Sequence, residues 1–210
     1  MTDPKILAWV EAERLDLADF LDTLDERDWT VESLCTGWTM HHVVAHLTTS
    51  TRTTFRSMLS GMVRARFDFD RMEDLAAREL VERFTPAELI AQLRETAGSA
   101  RRAPGAGPLD PLADTLVHGQ DIARPLGRVR AMPLEQTLAA LDHVRTSAFY
   151  GARKRFRGIR LVATDADWTA GTGTEELRAT AADLLLLATG RPAGLSTATG
   201  SATPRVTAAL

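Results

Sequence analysis

The sequence predicts a mostly α protein: an antiparallel helical bundle followed by a small α/β C-terminal domain. Three observations lead there. Apolar residues recur at helical spacing through roughly the first 155 residues. Short or medium connections carrying capping signals separate these segments, the pattern of an antiparallel bundle. The character then changes at Gly158, where strand-like and turn-like stretches begin. The expected division is therefore 1–155 for the bundle and 156–210 for the small domain.

Each element follows in order. Residues 4–27 read as a first helix, with Ile6, Trp9, Val10, Leu17, Phe20, Leu21 and Leu24 at helical spacing and Pro4 suited to a first turn. "TVESLCTGW" is a connection. Thr39 caps a second helix running to about Arg64. "ARFDFDRMED" is a break, after which a short helix covers roughly 71–83. Thr85 and Pro86 open the next helix, Glu88 completes a capping box, and the helix ends near Arg102. "APGAGP" is a loop. Asp110 and Pro111 open a helix that must stop near Arg124, because Pro125 cannot continue it. Pro133 starts another, reaching about Phe156. "GIRLVATDADW" reads as a strand and an Asp-rich turn, and "GTGT" as a second turn. Residues 175–189 read as an apolar helix stopped by Gly190 and Pro192. "PRVTAAL" closes the chain as a short strand or helix.

The totals narrow the function classes. Hydrophobic residues make up 44% of the chain and charged residues 25%, as in a soluble globular protein. A net charge of −3 carries no nucleic-acid footprint. No apolar run is long enough to cross a bilayer. The N-terminus shows no basic stretch followed by an apolar one, so a cytoplasmic location is expected. Cys35 is the single cysteine, which excludes an intrachain disulfide and a zinc site built on several thiolates. Any metal must be held by His, Asp or Glu.

Two helices carry candidate chemistry. "GWTMHHVVAHL" (37–47) holds three of the five histidines. With a turn of about 100° per residue, Val43, Val44, Leu47, Phe55 and Met58 form an apolar stripe. Arg52 and Arg56 fall on the opposite flank. Between them runs a third stripe of Thr39, His42, His46, Thr49, Ser50 and Thr53. Such a small, uncharged polar stripe suits a pocket wall, and it also describes partly exposed histidines. In "DPLADTLVHGQDIAR", Asp114 and His118 are four residues apart and share a face, and Asp121 joins them three residues on. An acid and a histidine on one helix, joined by a histidine from another, make a sensible site for zinc, iron or nickel. Three protein ligands leave a position open, as catalytic zinc requires. Asp121 would then orient a ligand or an arginine. The same spacing also describes a plain surface hydrogen-bonded pair.

The wording around these residues resembles a known family. "SLCTGWTMHHVVAHLT" (33–48) is similar to the N-terminal motif of the mycothiol-dependent maleylpyruvate isomerase family, a branch of the DinB-like metal-binding helical bundles. "DTLVHGQDIARPLG" (114–127) resembles its second motif. "IRLVATDADWTAGTG" and "LLLLATGRPA" resemble its small C-terminal domain. The resemblance spans about residues 5–195, with its motifs in the family's order. It implies a DinB-like four-helix bundle in which His46, Asp114 and His118 hold a divalent ion, zinc foremost, with nickel or iron as alternatives. It also implies a partner thiol, mycothiol, the low-molecular-weight thiol of actinobacteria. In the named isomerase, thiolate addition to a cis double bond permits rotation, and elimination gives the trans acid. The partners implied are that thiol and a small electrophilic substrate, with the chain a monomer or homodimer.

Two departures stand out: Asp114 occupies a position where Glu is usual, and His42 one where family members often carry an acid. His42 is either a fourth ligand or a residue of the cofactor pocket. Trp38 either staples the helix start to the bundle or borders that pocket. Asp121 and Arg191 are the candidate catalytic groups. Arg191 would be an anion contact if the small domain covers the pocket, and is otherwise a helix-terminal cation. Cys35 reads as structural, as do Asp165 and Asp167 in their turn. Three functions follow: a metal-dependent isomerase or S-transferase using a thiol cofactor, a non-catalytic binding member with a degenerate site, and a metal-dependent hydrolase with Asp121 as general base.

Overall fold

A computed structural model describes residues 3–210. The chain divides into two compact units, Met1–Arg130 and Ala131–Leu210. The first is built from α1 (Pro4–Leu21), α2 (Met40–Thr49), α3 (Phe55–Arg64), α4 (Phe69–Arg83), α5 (Pro86–Glu95) and α6 (Asp110–Ala123). Helices α1 and α2 each pack on both α5 and α6, which makes the four-helix bundle. Leu17, Leu21, Met40, Val43, Val44, Leu47, Leu89, Leu93 and Ile122 fill its core. Helix α4 lies against α2, and α3 against α4. Among the described residues no helix is long and apolar enough to cross a membrane.

The second helix differs from the sequence expectation. A single helix over 39–64 is replaced by α2 and α3, broken at Ser50–Thr54. The cause is a run of hydroxyl side chains that bond back to the backbone. Thr48, Thr49 and Ser50 donate to the carbonyls of Ala45, His46 and Leu47, at 2.7, 2.7 and 3.2 Å. Such bonds compete with the helix ladder, and Thr54 then caps α3 through the Ser57 amide. The break turns α3 away from the face α2 buries. Val43, Val44 and Leu47 are in the core, whereas Phe55, expected beside them, is 67% exposed.

The second unit holds α7 (Leu134–Thr146), α8 (Ala152–Arg155), β1 (Ile159–Ala163), β2 (Thr169–Ala170), β3 (Glu175–Ala179), α9 (Ala181–Ala188) and α10 (Thr203–Thr207). The sheet order is β2-β1-β3; β1 runs antiparallel to β2 and parallel to β3, with Leu161 opposite Leu177. The division by contacts falls at 130/131, with α7 packing on α9. The expected helix over 175–189 is half strand. In "EELRA" Leu177 and Ala179 are buried while Arg178 points outward, a strand alternation. Thr180 then caps a shorter α9 by accepting from the Asp183 amide. Gly171 fits the turn before β3 with φ +83°, and a Cβ there would strike the Ile159 carbonyl.

Candidate metal centre

The site is assembled from α2, α4, α6 and the loop ahead of α2. That loop is fixed locally. Ser33 Oγ donates to the Trp38 carbonyl at 2.8 Å and accepts from the Cys35 amide at 3.1 Å. The Leu34 amide donates to the Asp121 carbonyl on α6 at 3.1 Å, tying loop to helix. Thr39 begins α2, with the His42 ring folded back onto it: Nδ1 lies 2.8 Å from Thr39 Oγ1 and 3.3 Å from its amide.

From there α2 projects His46 and α6 projects Asp114, His118 and Asp121. His46 Nε2 is 3.6 Å from Asp114 Oδ1, and His118 Nε2 is 3.3 Å from the same oxygen. One donor atom from each of His46, Asp114 and His118 lies within 4.8 Å of the other two. The two rings meet edge to face, with centroids 4.9 Å apart. The far nitrogens are equally well defined. His118 Nδ1 is 2.8 Å from Asp121 Oδ2, and His46 Nδ1 is 2.9 Å from Glu73 Oε2 on α4. An Nδ1–H donated to a carboxylate leaves the Nε2 lone pair free and aimed at Asp114.

This donor set fits a divalent ion. A tetrahedral centre with bonds of about 2.0–2.1 Å holds its donors about 3.3–3.4 Å apart, close to the two measured separations. Metal-ligating histidines almost always give their other N–H to a carboxylate or carbonyl, and both do so here. Two imidazoles and one carboxylate suit zinc and its first-row neighbours.

The charges of the group act on one another. Burial disfavours charge on both imidazoles, but hydrogen bonds to Asp114, and to Asp121 or Glu73, outweigh it. His118 is therefore held well above the ordinary imidazole value, and His46 is raised too. Burial acts to raise Asp114, and its two histidine partners override this and hold it far below the usual carboxylate range.

Asp121, a candidate catalytic group, is fully buried and also accepts from the Cys35 thiol at 3.2 Å. That thiol is 3.7 Å from His118 Nδ1, so Cys35 braces the support behind a candidate ligand. Trp38 borders the site: its ring centroid is 5.4 Å from that of His46, and its indole N–H donates to Asp74 at 2.9 Å. The structure does not bring His42 into the cluster; its Nδ1 serves the start of α2. Arg191 lies in the second unit, where its guanidinium donates to the Thr189 carbonyl at 2.8 Å.

Sequence reasoning missed Glu73 and Arg14. Glu73 stands four residues before buried Ala77, an acid beside an apolar stripe. Arg14 interrupts the Val10, Leu17, Leu21 stripe of α1 and is itself buried. Its guanidinium donates to the carbonyls of Thr96, Ala97 and Ser99 and to Ser50 Oγ. Burial lowers its pKa, and the Asp114 charge opposes that.

Fold and site together define a helical bundle with a two-histidine, one-carboxylate cluster between its helices. Residues 10–138 match the family described as the mycothiol maleylpyruvate isomerase N-terminal domain, and the chain belongs to that family. Two similar solved structures are crystal structures of the mycothiol-dependent maleylpyruvate isomerase and of a histidine-to-alanine mutant of it. Their TM-scores are 0.64 and 0.63 at 15% and 14% identity; each alignment covers 95% of this chain and 92% of the other. At that identity the likeness is one of fold. No curated protein sequence matches.

Proposed function

We propose that the chain is a metal-dependent isomerase or S-transferase, similar to maleylpyruvate isomerase, that uses mycothiol and acts on a small electrophilic substrate. One observation carries the reading: two imidazole Nε2 atoms converge on one carboxylate oxygen, and each imidazole is held from behind by a carboxylate of its own. His46, Asp114 and His118 would hold the ion, zinc foremost. An ion there would lower the pKa of a coordinated thiol and so supply thiolate, the nucleophile. The chain's residues do the rest of the preparation. Asp121 and Glu73 fix the imidazole tautomers, Cys35 braces Asp121, and Trp38 walls one side of His46.

Two structural details argue against the other functions. A closed four-ligand site would need His42, which lies outside the cluster and whose Nδ1 accepts from the Thr39 amide, leaving the ring proton on Nε2. A hydrolase would need Asp121 as a base, and its carboxylate is buried and bonded to His118 and Cys35.

The test is metal content by elemental analysis, on protein purified without a metal-affinity column. Wild type should carry about one equivalent, and His118→Ala should lose it. Loaded wild type should then isomerise maleylpyruvate only when mycothiol is present. Wild type that takes up no metal even when offered zinc overturns the reading.

A further inference from the structure

The two carboxylates behind the histidines are not equivalent. Asp121 stands on the same helix as His118, three residues on, so that support travels with its ligand. His46 has no such partner on α2. Its support comes from Glu73 on α4, whose carboxylate reaches Nδ1 at 2.9 Å. The next residue of α4 makes a second tie: Asp74 accepts the Trp38 indole N–H at 2.9 Å, and the Trp38 ring lies against His46. One turn on, Arg78 grips Asp74 at 2.9 and 3.0 Å and donates to the Gly37 carbonyl at 3.4 Å. A single stretch of α4 thus holds a candidate ligand, the aromatic ring beside it, and the loop that leads into α2. Met72 and Ala77, buried in the same stretch, seat this part of α4.

We propose that Glu73 is a positioning residue for His46, and that α4 sets how tightly the site holds its ion through this one cross-helix hydrogen bond. The inference rests on the metal-centre reading above. An imidazole can present Nε2 to an ion only while Nδ1 carries the proton and the ring keeps its angle. On the His118 side the supporting carboxylate, Asp121, stands on α6 with its ligand. On the His46 side they depend on α4, so the ring is free to turn once Glu73 is removed. Glu73 is about one-fifth exposed, so its loss opens no cavity in the core.

The experiment measures zinc affinity by competition with a chromophoric chelator at fixed pH, for wild type, Glu73→Ala, Glu73→Gln and Glu79→Ala. Glu79 is on the same helix and pairs with Arg64 at the surface. Glu73→Ala should weaken zinc binding about 10- to 100-fold, as loss of such supports does elsewhere. Glu73→Gln keeps an acceptor for Nδ1–H and should restore most of the loss. Glu79→Ala should match wild type. Zinc affinity in Glu73→Ala within twofold of wild type overturns the inference, as does an equal loss in the Ala and Gln variants. Wild type that binds no zinc overturns the metal-centre reading and this inference with it.

Discussion

The residue after His118 gives the sharpest test of how α6 is held. Gly119 lies on the buried side of α6, and a Cβ there would sit 2.6 Å from Arg130 Nη1 and 3.2 Å from its Cζ. Ordinary contact begins at 3.4 Å, so Gly119→Ala requires the guanidinium to retreat by about 0.8 Å. The Arg130 side chain is 2% exposed and bonds Glu13 at 2.6 Å and Asp16 at 2.7 Å. Burial already pushes the Glu13 carboxyl up despite Arg130, so displacing the cation leaves a poorly compensated buried acid. Overpacking costs about 1–3 kcal/mol, and breaking a buried pair outright costs about 3–5. Replacing a helical glycine by alanine returns about 1 kcal/mol. Less that return, the two limits are about 0–2 and about 2–4 kcal/mol, so the expectation is a loss of about 1–3 kcal/mol, read by urea denaturation of the metal-free protein. In an Arg130→Met background the obstacle is gone, and the same substitution should stabilise by up to about 1 kcal/mol. Gly119→Ala as stable as wild type with Arg130 intact would refute the argument.

Two further outcomes follow from the site. His42→Ala should keep one equivalent of zinc while losing about 0.5–1 kcal/mol from the start of α2; loss of the metal by elemental analysis would instead make His42 a ligand. The pH dependence has a definite sign. His46 and His118 are raised above 6.5, so their stabilisation of the metal-free fold is full below that pH and is lost as pH rises through the folded values. Asp114 is depressed below 3.8, so its share is present above that value and is lost as pH falls. Ligation needs neutral imidazole, so zinc uptake near neutral pH should expel protons. Calorimetry in two buffers of different ionisation enthalpy would show this as a difference in apparent heat, and identical heats would count against the coupling.

What the sequence made legible was local, and what it hid was tertiary. Asp114, His118 and Asp121 lie within two turns of one helix, so spacing alone put them on one face. His46 required a second helix, and family resemblance joined it to them. Glu73 comes from a third helix, and only the packing of α4 on α2 makes that acid different from its neighbours Asp70, Asp74 and Glu79. The broken second helix had a visible cause in Thr48, Thr49, Ser50 and Thr53, whose hydroxyls bond back to the backbone and compete with the ladder. The strand in "EELRA" was obscured by the apolar "LLLL" that follows it, since a short alternation next to such a run reads as a continuing helix. Whether α7 belongs with the bundle or with the sheet depends on its contact with α9, which periodicity does not encode.

The aspartate at position 114 can be judged on the same geometry. Its side chain is one methylene shorter than the glutamate usual there, which raised the question of whether it could reach. Its Oδ1 stands 3.3 Å from one imidazole nitrogen and 3.6 Å from the other, so the shorter arm reaches both. It does so from the helix that also carries His118 and Asp121, and Asp121 anchors the incoming loop through its backbone carbonyl. One short helical stretch therefore supplies two candidate ligands, the support for one of them, and the attachment of the loop that carries Cys35 and Trp38. The remaining ligand and its support come from α2 and α4. The α6 half carries its supporting carboxylate on the same helix, and the α2 half takes its own from α4. That division makes the His46 side the point where changes in α4 can alter the site without touching a ligand.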